Sequence, residues 1–462
     1  MSGMKIVVAA MLMAAFAGCA TAAEPQQPVS SGTTALPPLP NLMDIVGDAD
    51  TVIFGEDSHG LAVIHQVVPA IFRQLVEQGG FRVFVFESKW GLSEGLADFM
   101  NSDRTELNAV DSYWLNGAFA SQPIADMLVW IRNWNRAHPD DPIIIAGNIS
   151  EQPVRDFRAL FAYLQTTAPG EVGRLRVAAA PCRAADAATY PTDLDFMMAN
   201  GRLARERRPS YTDAERAACL SGLDEIEAVL NRSDRNRATE PERGRARLHV
   251  ASLRTYISLL LRSVDTAITH PDMPLEAQVR LQSEMYTGGD ETRFRNYQAL
   301  RRLDFPGRKV FLWMHNWHAF RHASETGEDI GTFVAGLDGL DGPVSLGTFN
   351  NPRGTISVGE RLARSEGRRA VTIGNIVPCG TTCQEPADSI EPAFARRFGN
   401  RIELVDLRSG RNADLPVDRP VTLSANPHGR LTNVVLRRQT NVVLRRQLDA
   451  ILYVPPSTVD RH

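Results

Sequence analysis

Four stretches of this chain are strand-length apolar runs that each close on a polar or ionisable residue. They are "TVIFG" leading into Glu56, "RVFVFES" with Glu87, "PIIIAGN" ending at Asn148 and "KVFLWMH" ending at His315. Runs this short and this apolar suit strands covered on both faces, as in a parallel sheet. Between the first two, Ile64, Val68, Ile71, Leu75 and Val76 form an apolar stripe at helical spacing over Ala62 to Gln78. Pro69 lies inside that segment and predicts a kink or two shorter helices. Strand, helix, strand is a βαβ unit with a right-handed crossover. A second helix, Ile124 to Ala137, leads into the third strand, and "PVSLGTF" (343–349) and "DAILYVP" (449–455) are expected as later strands.

From about Glu151 to Asp304 strand signals nearly vanish, and long amphipathic stretches such as "RARLHVASLRTYISLLLRSV" take over. The expected fold class is α/β: a parallel β-sheet core flanked by helices, with a large helical insertion or cap. The expected divisions are a signal peptide over 1–22, a flexible Pro/Ser/Thr-rich linker over 23–40, a first part of the core over 41–150, the helical insertion over 151–305 and a second part of the core over 306–462. The octapeptide "TNVVLRRQ" occurs twice in tandem, at 432–439 and 440–447. One perfect copy is too short for a solenoid and reads as a recent duplication or a sequence error.

The N-terminus has Lys5, an apolar run from Ile6 to Ala17 and small residues after it, the pattern of a secretory signal too short to span a bilayer. "ATA" suits a leader peptidase, while "FAGC" resembles a lipobox that would attach lipid, and so the membrane, at Cys19; the two stand side by side. Either places the mature protein in the periplasm or cell envelope. After Cys19 four cysteines remain, and in an oxidising compartment two disulfides are expected, Cys182 with Cys219 and Cys379 with Cys383. A net charge of −4 over 462 residues argues against nucleic acid as a partner.

The chemistry gathers at the strand ends. Ligands of open parallel sheets bind beyond the carboxyl ends of the strands. There the first strand delivers "GEDSHG" with Glu56 and His59, the second Glu87, the third Asn148, and "HNWH" His315 and His318. Two carboxylates and three histidines suit general acid–base work at neutral pH. A carboxylate directly after "VFVF" is costly to bury without a partner, which makes Glu87 the strongest of these signals. The expected catalytic set is His59, Glu56, Glu87, His315 and His318, with Asn148, Lys89 and Trp317 as substrate-contacting residues. These donors also suit zinc or iron, but HExxH is absent, and metal-free hydrolysis without a cofactor is the expectation. No G-x-S-x-G elbow is present to supply a serine nucleophile.

The ordered set "GEDSHG", "FRVFVFESKWGLSEG", "VFLWMHNWH" and "DAILYVP" resembles the erythromycin esterase family from about Asn41 to Pro456. The resemblance implies an α/β protein with a helical region over its cleft and a small-molecule ester or macrolide-like lactone as substrate. It implies that His59 activates water, that Glu56 and Glu87 orient the base or the water, and that His315 and His318 serve the oxyanion or the leaving alcohol. Two positions depart from the family pattern: Val68 stands where members carry arginine, and Asn148 where they carry aspartate. The "GE-x-x-H" opening, with His65 six residues on, also resembles exported haem-binding lipoproteins, which would make the protein a haem or metal binder without hydrolase activity.

Overall fold

The computed structural model describes residues 38–455 apart from positions 58, 60, 233–237, 271, 331–333, 336–343, 346–348, 352–353, 379–388, 413 and 426–436. The chain forms two units. One is an α/β unit drawn from Ala22–Ser88, Leu92–Gly147 and Arg308–His462; the other is a helical unit drawn from Lys89–Gly91 and Asn148–Gly307. Cys19, Cys379 and Cys383 lie outside the described residues, as do residues 432–436 of the octapeptide repeat.

The α/β unit is built on a seven-stranded, mostly parallel sheet. Its strands are β1 (Thr51–Glu56), β2 (Phe81–Lys89), β3 (Ile144–Ile149), β4 (Lys309–His315), β5 (Ala370–Ile376), β6 (Glu403–Asp406) and β7 (Ala450–Tyr453), in the order β6-β7-β5-β1-β4-β2-β3. β6 runs antiparallel to β7 at its edge. Every residue of β1 and β5 is buried, the pattern of central strands with both faces covered. The register sets the chemistry: β1 pairs with β4 from Thr51↔Val310 to Glu56↔His315, so the two polar ends arrive side by side. β2 pairs with the other edge of β4 up to Phe86↔Trp313, one residue before Glu87.

Helix α1 (Ala62–Gly79) crosses from β1 to β2 and runs as one helix through Pro69, not two. Pro69 costs the helix one hydrogen bond, roughly 3 kcal/mol. Val63, Ile64, Val67, Val68, Ile71, Phe72, Leu75 and Val76 are all buried, at about 1.5–3 kcal/mol for each large apolar side chain, so burial outweighs the break. Gly80 closes α1 at φ 71°, a left-handed cap that a β-carbon would strain. Helix α2 (Gln122–Ala137) leads into β3.

The later strands divide between sheets. "PVSLGTF" does not join the parallel sheet: Val344–Ser345 pairs with Val334–Ala335, and Phe349–Asn351 pairs with Gly327–Ile330 in a separate four-stranded sheet. The strand beside β1 is instead "AVTIGNI", β5, whose Thr372, Gly374 and Asn375 blunt its apolar signal.

The helical unit contains α3 (Pro153–Thr167), α4 (Asp193–Arg205), α5 (Asp213–Arg232), α6 (Glu240–Thr255) and α7 (Leu275–Leu303). Thr192 with Asp195 and Thr239 with Glu242 form capping boxes that start α4 and α6. Cys182 and Cys219 are joined, with their Cα atoms 4.7 Å apart. Gly222, one turn on, is required by closeness: a β-carbon there would lie 2.2 Å from the Ala178 carbonyl oxygen. Among the described residues no helix is long and apolar enough to cross a membrane.

Candidate active site

The end of β1 starts the site. Glu56 is wholly buried, and His59, three residues on, brings Nδ1 to 2.5 Å from Glu56 Oε1. Glu56 Oε2 is buried and has no hydrogen-bond partner among the described residues. Burial pushes the Glu56 carboxyl above its usual range against the pull of His59, and the charge of Glu87 adds to the rise. The His59 side chain is 34 % exposed, whereas those of Glu56 and Glu87 are 0 % and 6 % exposed. Phe119 meets the His59 ring edge-on at 5.6 Å.

Glu87 stands between two histidines. Its Oε2 lies 3.9 Å from His59 Nε2, and its Oε1 lies 3.3 Å from His318 Nε2. The His315 backbone N–H donates to Glu87 Oε2 at 2.9 Å. A buried carboxylate is tolerated here because each oxygen faces a donor.

His315 pairs with Glu56 at the end of β4. Its Nε2 lies 3.1 Å from the Asp57 carbonyl oxygen, and a carbonyl only accepts, so Nε2 carries the hydrogen. Its Nδ1 accepts the Trp317 N–H at 3.4 Å, capping the one-turn helix Asn316–Ala319. Backbone groups therefore engage both ring nitrogens, and His315 ties the His59 loop to the turn that carries His318. Trp317 is 1 % exposed and belongs to the buried core cluster that includes Phe320, Ile376 and Tyr453.

Lys89 and Asn148 belong to the helical unit. Both are buried; the Asn148 carbonyl accepts from Asn296 Nδ2 at 3.0 Å, while Lys89 is close enough to Asp193 to oppose the rise in its pKa. Burial and the charge of Asp156 push Asp193 up to about 7, against that Lys89 pull and two backbone N–H donors at the start of α3. In the same unit His249 Nδ1 lies 2.9 Å from Asp156 Oδ1, with the Trp90 ring 4.7 Å from the imidazole.

Three residues near His59 escaped the sequence reading: Asp57, Asn316 and Asn375, all buried. The signal for Asn316 was inside "HNWH", hidden by its histidines; Asn375 lay on a strand that went unrecognised. His65, by contrast, is buried against Trp313 with Nδ1 2.7 Å from Ser121 Oγ, and burial lowers its pKa to about 4. An exposed haem ligand is not what that setting provides. Among the described residues no three His, Cys, Asp or Glu side chains form a group able to hold a metal ion.

Solved structures share the fold. A crystal structure of a Bacillus cereus protein matches with a TM-score of 0.57 and 16% identity, covering 90% of both chains. A mutant of the erythromycin esterase EreC in its open conformation matches with a TM-score of 0.56 and 15% identity, covering 90% of this chain and 92% of that one. A succinoglycan biosynthesis protein matches with a TM-score of 0.61 and 16% identity over 90% of both chains. The family model described as erythromycin esterase matches residues 76–456, a span that starts after Glu56 and His59 and includes Glu87, His315 and His318. On that match, the chain belongs to the erythromycin esterase family.

Proposed function

We propose that the protein hydrolyses a carboxylic ester or lactone with water activated by His59. The observation that carries this reading is an accessible imidazole held between two buried carboxylates: Nδ1 on Glu56 at 2.5 Å, Nε2 toward Glu87 at 3.9 Å. With its Nδ1 hydrogen directed at Glu56, the ring presents Nε2 as the base. Water attacks the acyl carbon as its proton passes to Nε2. The tetrahedral oxyanion then collapses, the acyl–oxygen bond breaks, and the departing alkoxide takes the proton back from Nε2, giving acid and alcohol. Glu87 stabilises the transient imidazolium, and His318 serves the oxyanion or the leaving group.

Family membership makes macrolide lactones the first substrates to test. Val68 is wholly buried in α1, so no guanidinium occupies that place, and simple esters belong in the same panel. The test is turnover of aryl esters and macrolides by purified protein, with products identified by mass and with a chelator in parallel. Loss of all turnover on chelation would overturn the metal-free reading. Export to the periplasm, with removal of the leader or lipidation at Cys19, is part of the proposal; the Cys182–Cys219 disulfide supports it. The mass of the mature N-terminus decides between the two.

A further inference from the structure

β1 and β5 part company at their carboxyl ends. Their ladder runs from Thr51↔Ala370 to Phe54↔Ile373 and stops there. The Asn316 side chain lies over the next pair: a β-carbon on Gly55 would be 2.5 Å from Asn316 Oδ1, and one on Gly374 would be 3.1 Å from the same oxygen. Asn316 Nδ2 donates to the Asn375 carbonyl at 3.0 Å, and the Asn375 N–H donates to Asn316 Oδ1 at 3.2 Å. One amide thus supplies the ladder bonds that β1 would otherwise give β5.

The Asn375 side chain then turns to a single residue. Its Oδ1 accepts the Asp57 N–H at 2.7 Å, and its Nδ2 donates to Asp57 Oδ1 at 3.3 Å. The Asp57 carbonyl in turn accepts from His315 Nε2 at 3.1 Å. Both peptide planes of Asp57 are therefore held by side chains from other strands. Those planes lie on the chain path between Glu56 and His59. If strand pairing were all that mattered here, an apolar residue and a continued ladder would serve, without the cost of burying an amide.

We propose that Asn375 is a positioning residue for His59: by fixing Asp57 it holds the imidazole in one tautomer, with Nδ1–H on Glu56 and Nε2 turned toward Glu87. The catalytic consequence rests on His59 being the base; the positioning itself does not.

The test uses the full chain with ¹⁵N-labelled histidine, the His59 signals being identified by their loss in His59→Asn. Nitrogen shifts report the tautomer, and aryl-ester kinetics are measured on the same samples. In the wild-type protein one tautomer is expected. In Asn375→Ala the two nitrogens should move toward the averaged values of a mobile ring, with kcat down on the order of tenfold or more and KM changed by less than about twofold. Asn375→Asp keeps the acceptor for the Asp57 N–H but loses the donor to Asp57 Oδ1, and should restore both only in part. A folded Asn375→Ala protein with an unchanged His59 tautomer, even if less heat-stable, overturns the proposal and leaves Asn375 a structural residue. Should that variant not fold, Asn375→Ser, too short to reach Asp57, is read against the same two outcomes. Absence of ester turnover in the wild type would remove the hydrolase reading, while a tautomer lost in Asn375→Ala would still establish the positioning.

Discussion

Glu56 and His59 are three residues apart and meet at 2.5 Å, with the carboxyl wholly buried at the end of β1 and the imidazole partly open. On the proposed function, the pair joins a cost in stability to a chemical use. The folded state raises the Glu56 pKa above its unfolded value of 4.5. The stability tied to its protonated form is therefore complete below that value and is lost as pH rises through the folded pKa. Glu56→Gln removes the ionising group, so its melting temperature should exceed that of the wild type at neutral pH, and the gain should shrink as pH falls toward 4.5. Ester turnover should fall by about 10² or more, because a neutral amide stabilises the imidazolium poorly. Equal melting temperatures at every pH would contradict the burial cost assigned to Glu56.

His65 titrates in the opposite sense. Its folded pKa is lowered from 6.5 to about 4, so the neutral ring contributes stability above 6.5 that is lost as pH falls through this window. By pH 5 the loss amounts to about 2 kcal/mol. His65→Gln, which removes the titration, should show a flatter decline in melting temperature between pH 7 and pH 5. A wild-type slope no steeper than the variant's would contradict the assignment.

The strand ends that carry Glu56, Glu87 and His315 were legible because a buried parallel strand is a plain apolar run, and an ionisable residue at its end stands out. β5 was not legible, although it lies beside β1: its threonine, glycine and asparagine interrupt the apolar signal, and only neighbouring elements bury them. The octapeptide repeat makes the same point within one sequence. In the first copy Arg437, Arg438 and Gln439 lie in a strand, and in the second the same three residues, Arg445, Arg446 and Gln447, lie in a one-turn helix. Local preference alone does not decide which element such a segment forms. Residue type also did not reveal which nitrogen each histidine uses. "HNWH" marks two imidazoles equally, yet backbone groups occupy both nitrogens of His315, while His318 faces Glu87.

Glu87 links the two halves of the site, and its charge is separable from its hydrogen bonding. Glu87→Gln keeps an acceptor for the His315 N–H, now 2.9 Å away, while removing the charge between His59 and His318. The expected result is a folded protein with kcat reduced by about 10²-fold. Glu87→Leu should also lose thermal stability, since the His315 N–H loses its acceptor. Full activity in Glu87→Gln would show that its charge takes no part.

The Cys182–Cys219 bond closes a loop of 37 residues in sequence separation. Chain-entropy reasoning assigns it about 4 kcal/mol. Replacing both cysteines with serine should lower the denaturant midpoint of the helical unit, followed by fluorescence of Trp90, which packs on His249 there. A midpoint that stays the same would mean that the helical unit owes the bond nothing.

The most direct measurement is steady-state hydrolysis of a reactive aryl ester by wild-type protein and by His59→Ala, with folding of both checked by near-ultraviolet circular dichroism. The expected result is wild-type turnover that survives chelation and falls by about 10³-fold or more in the folded variant. Turnover that persists undiminished in His59→Ala would place the base elsewhere and contradict the central claim.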